Sequence, residues 1–288
     1  MTTLKNSPAA NPEHASPIIG VFDSGFGGLT VLRALIHRLP QARFAFLGDT
    51  ARLPYGSKSR RTIARYAAES AQFLVREQGA EFLVIACNTA SALALDAIQD
   101  AVPVPVLGVI EPGATAARAA SRTGDVLVIA TDATVQSHAY AAACRTQGLR
   151  ALEKACPLLV PLVEEGWIDH PVTAEVIRIY LDELNAEAAA QGLDPDVLVL
   201  GCTHYPLLRP LMARAVPAGM KVIDSAEAAA EAALRQFGAR IAPPAGATSA
   251  PEPILRCFAT DSVEKFERLG SRFLGRPTGK VELVDLGG

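Results

Sequence analysis

Short apolar runs that stop at small or polar residues recur along this chain, each followed by a stretch with helical spacing. P-I-I-G-V-F (17–22), R-F-A-F-L (43–47) and the run closing at Ala86 predict strands. Leu29, Leu32, Leu35, Ile36 and Leu39 share one face at a period near 3.6 and predict a helix; residues 59–78 predict a second, and 90–100 a third. V-P-V-P-V-L-G-V-I (102–110) reads as a further strand, ending at Glu111-Pro112-Gly113. A second series opens at 125–135 with strand, polar turn and helix. Residues 151–155 fit a short strand, and 157–166 a helix or loop wall. The stretch 172–190 is a helix with Val176, Ile177, Tyr180, Leu181 and Leu184 as its buried stripe. A strand closing at Gly201 and a helix follow, then K-V-I-D (221–224) and an alanine-rich helix. Beyond a proline-rich connector (242–253), residues 254–260 and 280–286 supply two strands around one more helix.

Alternation of short apolar strands with helices predicts an α/β fold whose parallel sheets are built from βαβ units. The expected division is a disordered tail (1–16), a first domain (17–112 plus 225–288) and a second (113–224), with a cleft between them. Two stretches look like copies of one another: L-V-I-A-C-N-T (83–89) and L-V-L-G-C-T-H (198–204), whose cysteines stand 115 positions apart. Both cysteines are expected where a strand's carboxyl end meets a helix's amino end, which is where open α/β sheets bind ligands.

Composition narrows the function. At 288 residues the chain can bury two cores, and 50% hydrophobic residues rule out extensive disorder. A net charge of −3 with no basic stripe argues against nucleic acid as a partner. No apolar run is long enough to span a membrane, and the start M-T-T-L-K-N-S-P lacks a signal peptide's apolar centre, so a cytoplasmic protein is expected. Five cysteines without C-x-x-C fit a reducing compartment and offer no structural zinc site.

The turn D-S-G-F-G-G (23–28) follows a strand and opens a helix, but Gly25, Gly27 and Gly28 miss the dinucleotide spacing, and no P-loop lysine follows. C-x5-R phosphatase chemistry fails, because Leu93 and Leu208 stand where arginine is needed. Zinc on Cys87, Cys202 and His204 lacks a nameable fourth ligand, and no metal is expected. Cys144, Cys156 and Cys257 read as core, and His138 and His170 as surface or helix residues. Cys87 and Cys202 differ, standing at matched strand ends beside polar residues. Two thiols facing across a cleft suit stereoinversion at carbon: a thiolate takes a proton from one face while a thiol gives one to the other.

Six segments carry a resemblance: I-G-V-F-D-S-G-F-G-G-L-T-V-L-R-A-L (19–35), G-D-T-A-R-L-P-Y-G-S-K-S (48–59), A-C-N-T-A-S (86–91), P-V-L-G-V-I-E-P-G-A (105–114), C-P-L-L-V-P-L-V-E-E-G (156–166) and G-C-T-H-Y-P-L-L (201–208). In that order they resemble the glutamate racemase family over most of residues 18 to about 230. The resemblance implies two pseudo-symmetric α/β domains with the active site in the interdomain cleft. It implies an isomerase that interconverts L- and D-glutamate without a cofactor, supplying D-glutamate for peptidoglycan. Cys87 and Cys202 match the catalytic cysteines; Asp23, Glu164 and His204 match their proton-transfer partners. Asp23-Ser24, Tyr55-Gly56, Asn88-Thr89 and Thr203-His204 match the substrate-binding pairs, with Thr134 an addition. Both enantiomers of glutamate are the expected ligands, and a homodimer the expected assembly. Only 6 lysines occur, none in a Schiff-base context, in keeping with independence from pyridoxal phosphate. Aspartate racemase, of the same superfamily, is a rival whose substrate is one methylene shorter. An amino-acid-binding protein is a second, although it needs an export signal and leaves the paired cysteines unexplained.

Overall fold

The computed structural model describes residues 16–241 and 254–287, so the expected tail and the connector at 242–253 lie outside the described residues. In chain order the elements are β1 (Ile18–Asp23), α1 (Leu29–Arg38), β2 (Arg43–Gly48), α2 (Arg60–Arg76), β3 (Ala80–Ile85), α3 (Asn88–Leu93), α4 (Leu95–Ala101), β4 (Val106–Gly108) and α5 (Ile110–Ala120). They continue with β5 (Asp125–Ala130), α6 (Asp132–Gln136), α7 (Ala139–Thr146), β6 (Arg150–Ala155), α8 (Leu159–Glu164), α9 (Pro171–Ala190) and β7 (Val197–Gly201). Last come α10 (Arg209–Ala215), β8 (Lys221–Asp224), α11 (Ser225–Ile241), β9 (Leu255–Ala259), α12 (Val263–Leu274) and β10 (Val281–Leu283).

Two wholly parallel sheets result. One runs β10-β9-β2-β1-β3-β4, the other β6-β5-β7-β8. The central strands are buried on both faces, as helix-covered parallel sheets require: every residue of β5 and β7 is inside. Side chains alternate between layers. Leu198 and Leu200 join the core shared with α9 and α11, while Val197 and Val199 pack with α5 and α7. That shared core also holds Ile19 and Val21 of β1, so one apolar layer runs from the first sheet into the second. Among the described residues no helix is long and apolar enough to cross a membrane.

Three local expectations change. The strand at 102–110 shrinks to Val106–Gly108, because Pro103 and Pro105 have no N–H to give a ladder. Its last residue, Ile110, instead opens α5, where Pro112 sits in the first turn and so costs no helical hydrogen bond. Residues 112 and 113 therefore fall inside a helix. The helix over 90–100 is interrupted at Ala94, whose φ of −134° leaves the helical region.

Candidate active site

The four-strand order β2-β1-β3-β4 reappears as β6-β5-β7-β8, so β3 and β7 are equivalent strands. Cys87 follows the first and Cys202 the second, and both thiols are buried, each 5% exposed. They open on one cavity of about 340 Å³. Asp23, Ser24, Tyr55, Gly56, Asn88, Thr89, Glu164, Thr203 and His204 line it with them. Thr134 does not reach the lining: its hydroxyl stands behind Thr131 and Thr89, 3.0 and 3.3 Å from theirs. Cys144, Cys156 and Cys257 are buried in cores, and His138 and His170 sit at the starts of α7 and α9. Among the described residues, no group of three His, Cys, Asp or Glu side chains is arranged to hold a metal ion.

On the first side, Cys87 caps α3 and its sulfur accepts from the Ala90 N–H at 3.4 Å. The thiol donates to Ser24 Oγ at 3.4 Å. Burial, and then the neighbouring Asp23 charge, push the Cys87 thiol up to about 12, so it holds its proton at neutral pH. Asp23 ends β1, 2% exposed, with Oδ2 accepting from the Gly25 N–H at 2.9 Å and Oδ1 unpartnered among the described residues. Burial raises its carboxyl above the usual range. Beside it, Tyr55 donates to Asp49 at 2.6 Å, and Asp49 also accepts from Thr260 at 2.9 Å. The wall carrying Tyr55 and Gly56 is thus tied to the segment after β9.

The second side is built differently. No α-helix starts at Cys202; a turn leads into a short 3-10 segment (Tyr205–Leu208) before α10. Pro206 and Pro210 lack the N–H groups that a helix begun there would use. The expected pair of helix amino ends is reduced to one, at Cys87. Cys202 Sγ lies 3.9 Å from His204 Nδ1, and His204 Nε2 lies 3.3 Å from Glu164 Oε1. The imidazole is stacked edge-on to Phe273, 5.1 Å between centroids. Burial alone would lower His204, but its hydrogen bonds to Cys202 and Glu164 win and push it up to about 10. Glu164 is partly buried, which would raise it; the His204 hydrogen bond and charge hold it below the usual range, with Lys265 Nζ 3.6 Å away adding to that. Glu165, the adjacent glutamate, is absent from the cavity lining.

The glycine turn serves close approach. A Cβ on Gly27 would collide with the Thr203 hydroxyl and the His204 ring, so the turn after β1 can lie against the turn after β7. Thr30 secures that contact, donating toward the Thr203 carbonyl at 2.9 Å.

Reading from the strands missed several lining residues. Thr131 and Asp132 stand at the carboxyl end of β5 and were findable by the strand-end rule that placed the two cysteines. Leu53, Pro54, Pro157 and Pro161 line the cavity from loops and from α8, and carry no periodic signal.

The profile of the Asp/Glu/Hydantoin racemase family matches residues 19–233. A glutamate racemase of Koribacter versatilis is 56% identical, the alignment covering 94% of this chain and 98% of the relative. The chain belongs to this family, on its glutamate racemase branch. Among solved structures, glutamate racemase RacE1 of Bacillus anthracis superposes with a TM-score of 0.85 at 36% identity, covering 95% of this chain and 99% of that one. The Francisella tularensis glutamate racemase in complex with D-glutamate gives 0.82 at 34% identity, covering 94% and 98%. The two-sheet α/β arrangement is therefore that of the racemase family.

Proposed function

We propose that this cavity racemises glutamate by passing protons between Cys87, Cys202 and the two faces of the substrate's α-carbon, with no cofactor. The observation that carries the reading is the pair of buried thiols at equivalent strand ends of two parallel sheets, opening on one cavity. The Cα–H of an amino acid is a very weak acid, so the site must stabilise negative charge that has no electron sink. Hydroxyl and amide groups of Ser24, Asn88, Thr89 and Thr203 are the right donors for the substrate carboxylates.

Roles follow the family's motifs. The cysteine of G-C-T-H, Cys202, takes the proton from L-glutamate with His204 and Glu164 assisting; the cysteine of A-C-N-T, Cys87, takes it from D-glutamate with Asp23 assisting. The electrostatics support one direction of readiness. Cys87 rests as a thiol, the form that delivers a proton to the planar intermediate made from L-glutamate. In the reverse direction Asp23, whose Oδ1 has no partner among the described residues, is the carboxylate that accepts the Cys87 proton, so that the sulfur can take one from D-glutamate.

The same kinship supports a two-lobe division at 17–112 plus 225–288 and 113–224, a homodimer, and a cytoplasmic enzyme feeding peptidoglycan synthesis. The test of activity is circular dichroism of dialysed enzyme, free of pyridoxal absorbance, mixed with L-glutamate or L-aspartate. Loss of the glutamate signal with little change in aspartate is expected. Activity only after adding pyridoxal phosphate would sink the two-thiol reading, and preference for aspartate would move the chain to the sister activity.

A further inference from the structure

Asn88 is the one amide side chain lining the cavity, and its two ends have opposite uses there. Its Nδ2 can donate to a substrate carboxylate, whereas its Oδ1 would repel one. Rotating the amide by half a turn exchanges them at almost no steric cost, so something must choose. Tyr140, on α7 against the second sheet, reaches Asn88, on α3 against the first: the phenol donates to Asn88 Oδ1 at 2.7 Å. Nδ2 is left buried and, among the described residues, without a partner. The phenol is itself fully buried, and burial keeps its proton on. Asn88 Oδ1 takes that proton at 2.7 Å, while the Ser225 hydroxyl, the phenol's other polar neighbour, can donate to its oxygen.

The chain makes room for this reach. A Cβ on Gly201 would meet the Tyr140 ring at 2.9 Å and the Ile129 carbonyl at 3.0 Å, and one on Gly113 would meet the ring at 3.2 Å. This accounts for Gly201 standing ahead of the second cysteine where the first copy has Ala86. We infer that Tyr140 is a positioning residue for the racemase site: its hydroxyl fixes the Asn88 amide so that Nδ2 is presented to the substrate's carboxylate. The inference rests on the racemase reading and adds a residue from outside the cavity lining.

Tyr140→Phe keeps the ring and removes the hydroxyl. Because glutamate's enantiomers are equal in free energy, kcat/KM must stay equal in the two directions for any variant. The expected result is a rise of about tenfold in KM for both enantiomers with kcat within about threefold of wild type, the pattern of lost ground-state binding. In an Asn88→Ala background the same substitution is expected to change KM by less than about twofold, since the residue it positions is gone. Where turnover is too slow, the dissociation constant of D-glutamate from calorimetry replaces KM. An unchanged KM in Tyr140→Phe overturns the inference. So does an equal rise with Asn88 already removed, which would mean that the hydroxyl matters only for packing. If wild-type enzyme fails to racemise glutamate at all, the racemase reading itself falls, and that result is distinct from either.

Discussion

The two sides of the cavity share strand topology and a thiol, yet they differ in what surrounds the sulfur. Cys87 has a hydroxyl and a buried carboxyl for company and, among the described residues, no cation beside it. Cys202 has an imidazole 3.9 Å away that is backed by Glu164 and Lys265. The difference arises from small substitutions on a common frame. Asp23 ends β1 where Ala130 ends β5, and Thr89 stands two residues after Cys87 where His204 stands two after Cys202. Duplicated architecture supplies two buried thiols at equivalent strand ends. The unlike neighbours give the two sulfurs different surroundings, a buried carboxyl beside Cys87 and an imidazole beside Cys202.

The hardest blow to this picture is the loss of either thiol. Cys87→Ser and Cys202→Ser are each expected to lower racemisation by about 10²–10⁴, the range for losing a general acid or base. With a substrate analogue carrying a β-leaving group, Cys87→Ser is expected to eliminate only from the L-form and Cys202→Ser only from the D-form. One mutant processing both forms near wild-type rates would erase the distinction between the sides.

Replacing the assistants is expected to cost less. Asp23→Asn should lower kcat most for D-glutamate and His204→Asn most for L-glutamate, each by about 10–100-fold, for want of a proton relay. The asymmetry must be read in kcat and KM separately, or in the elimination assay, since kcat/KM is tied by the equilibrium constant. Equal losses in both directions for both variants would show that the two assistants serve the site as a whole.

Acid and base act on the second side through stability. His204 is raised from 6.5 to about 10, so its contribution is whole below 6.5 and fades as pH climbs toward 10. Glu164 is lowered from 4.5, so its share is whole above 4.5 and is lost on further acidification. Chemical denaturation of wild type against Glu164→Gln is expected to show the widest gap between these limits and a narrowing gap at pH 9–10. A gap that widens with rising pH would mean that His204 is neutral in the folded protein.

The smallest effect belongs to Lys265, whose half-exposed ammonium pairs with Glu164 at 3.6 Å. Lys265→Ala is expected to change stability by at most about 1 kcal/mol, and less in high salt. A larger loss would make α12 a principal support of the second side.

Much of this was legible in the chain because strand ends are local events. Every strand from β1 to β10 overlaps a stretch read as a strand, and both cysteines of the matched stretches line the cavity. What escaped depends on neighbours from elsewhere. Helix α5 was hidden by Pro112 and Gly113, which read as a turn when the first-turn tolerance of proline is not weighed. Tyr140, in A-Y-A-A-A-C, looks like any apolar helix residue until the gap beside Gly201 reveals its reach. Thr131 stands just before α6 and reaches the cavity, whereas Thr134, one turn on, is fully buried behind it, a difference of depth that the packing of α6 against α3 and β6 decides.

The order of strands also bears on synthesis. The second sheet draws its strands from one unbroken stretch, 125–224, and can close soon after that stretch leaves the ribosome. The first sheet needs β9 and β10 from the end of the chain, and Asp49, which holds Tyr55 in the cavity wall, waits for Thr260. Domains generally fold as units while the chain emerges. On that rule the second sheet is complete before the first, and the cavity wall is finished only once residues 255–283 have been added.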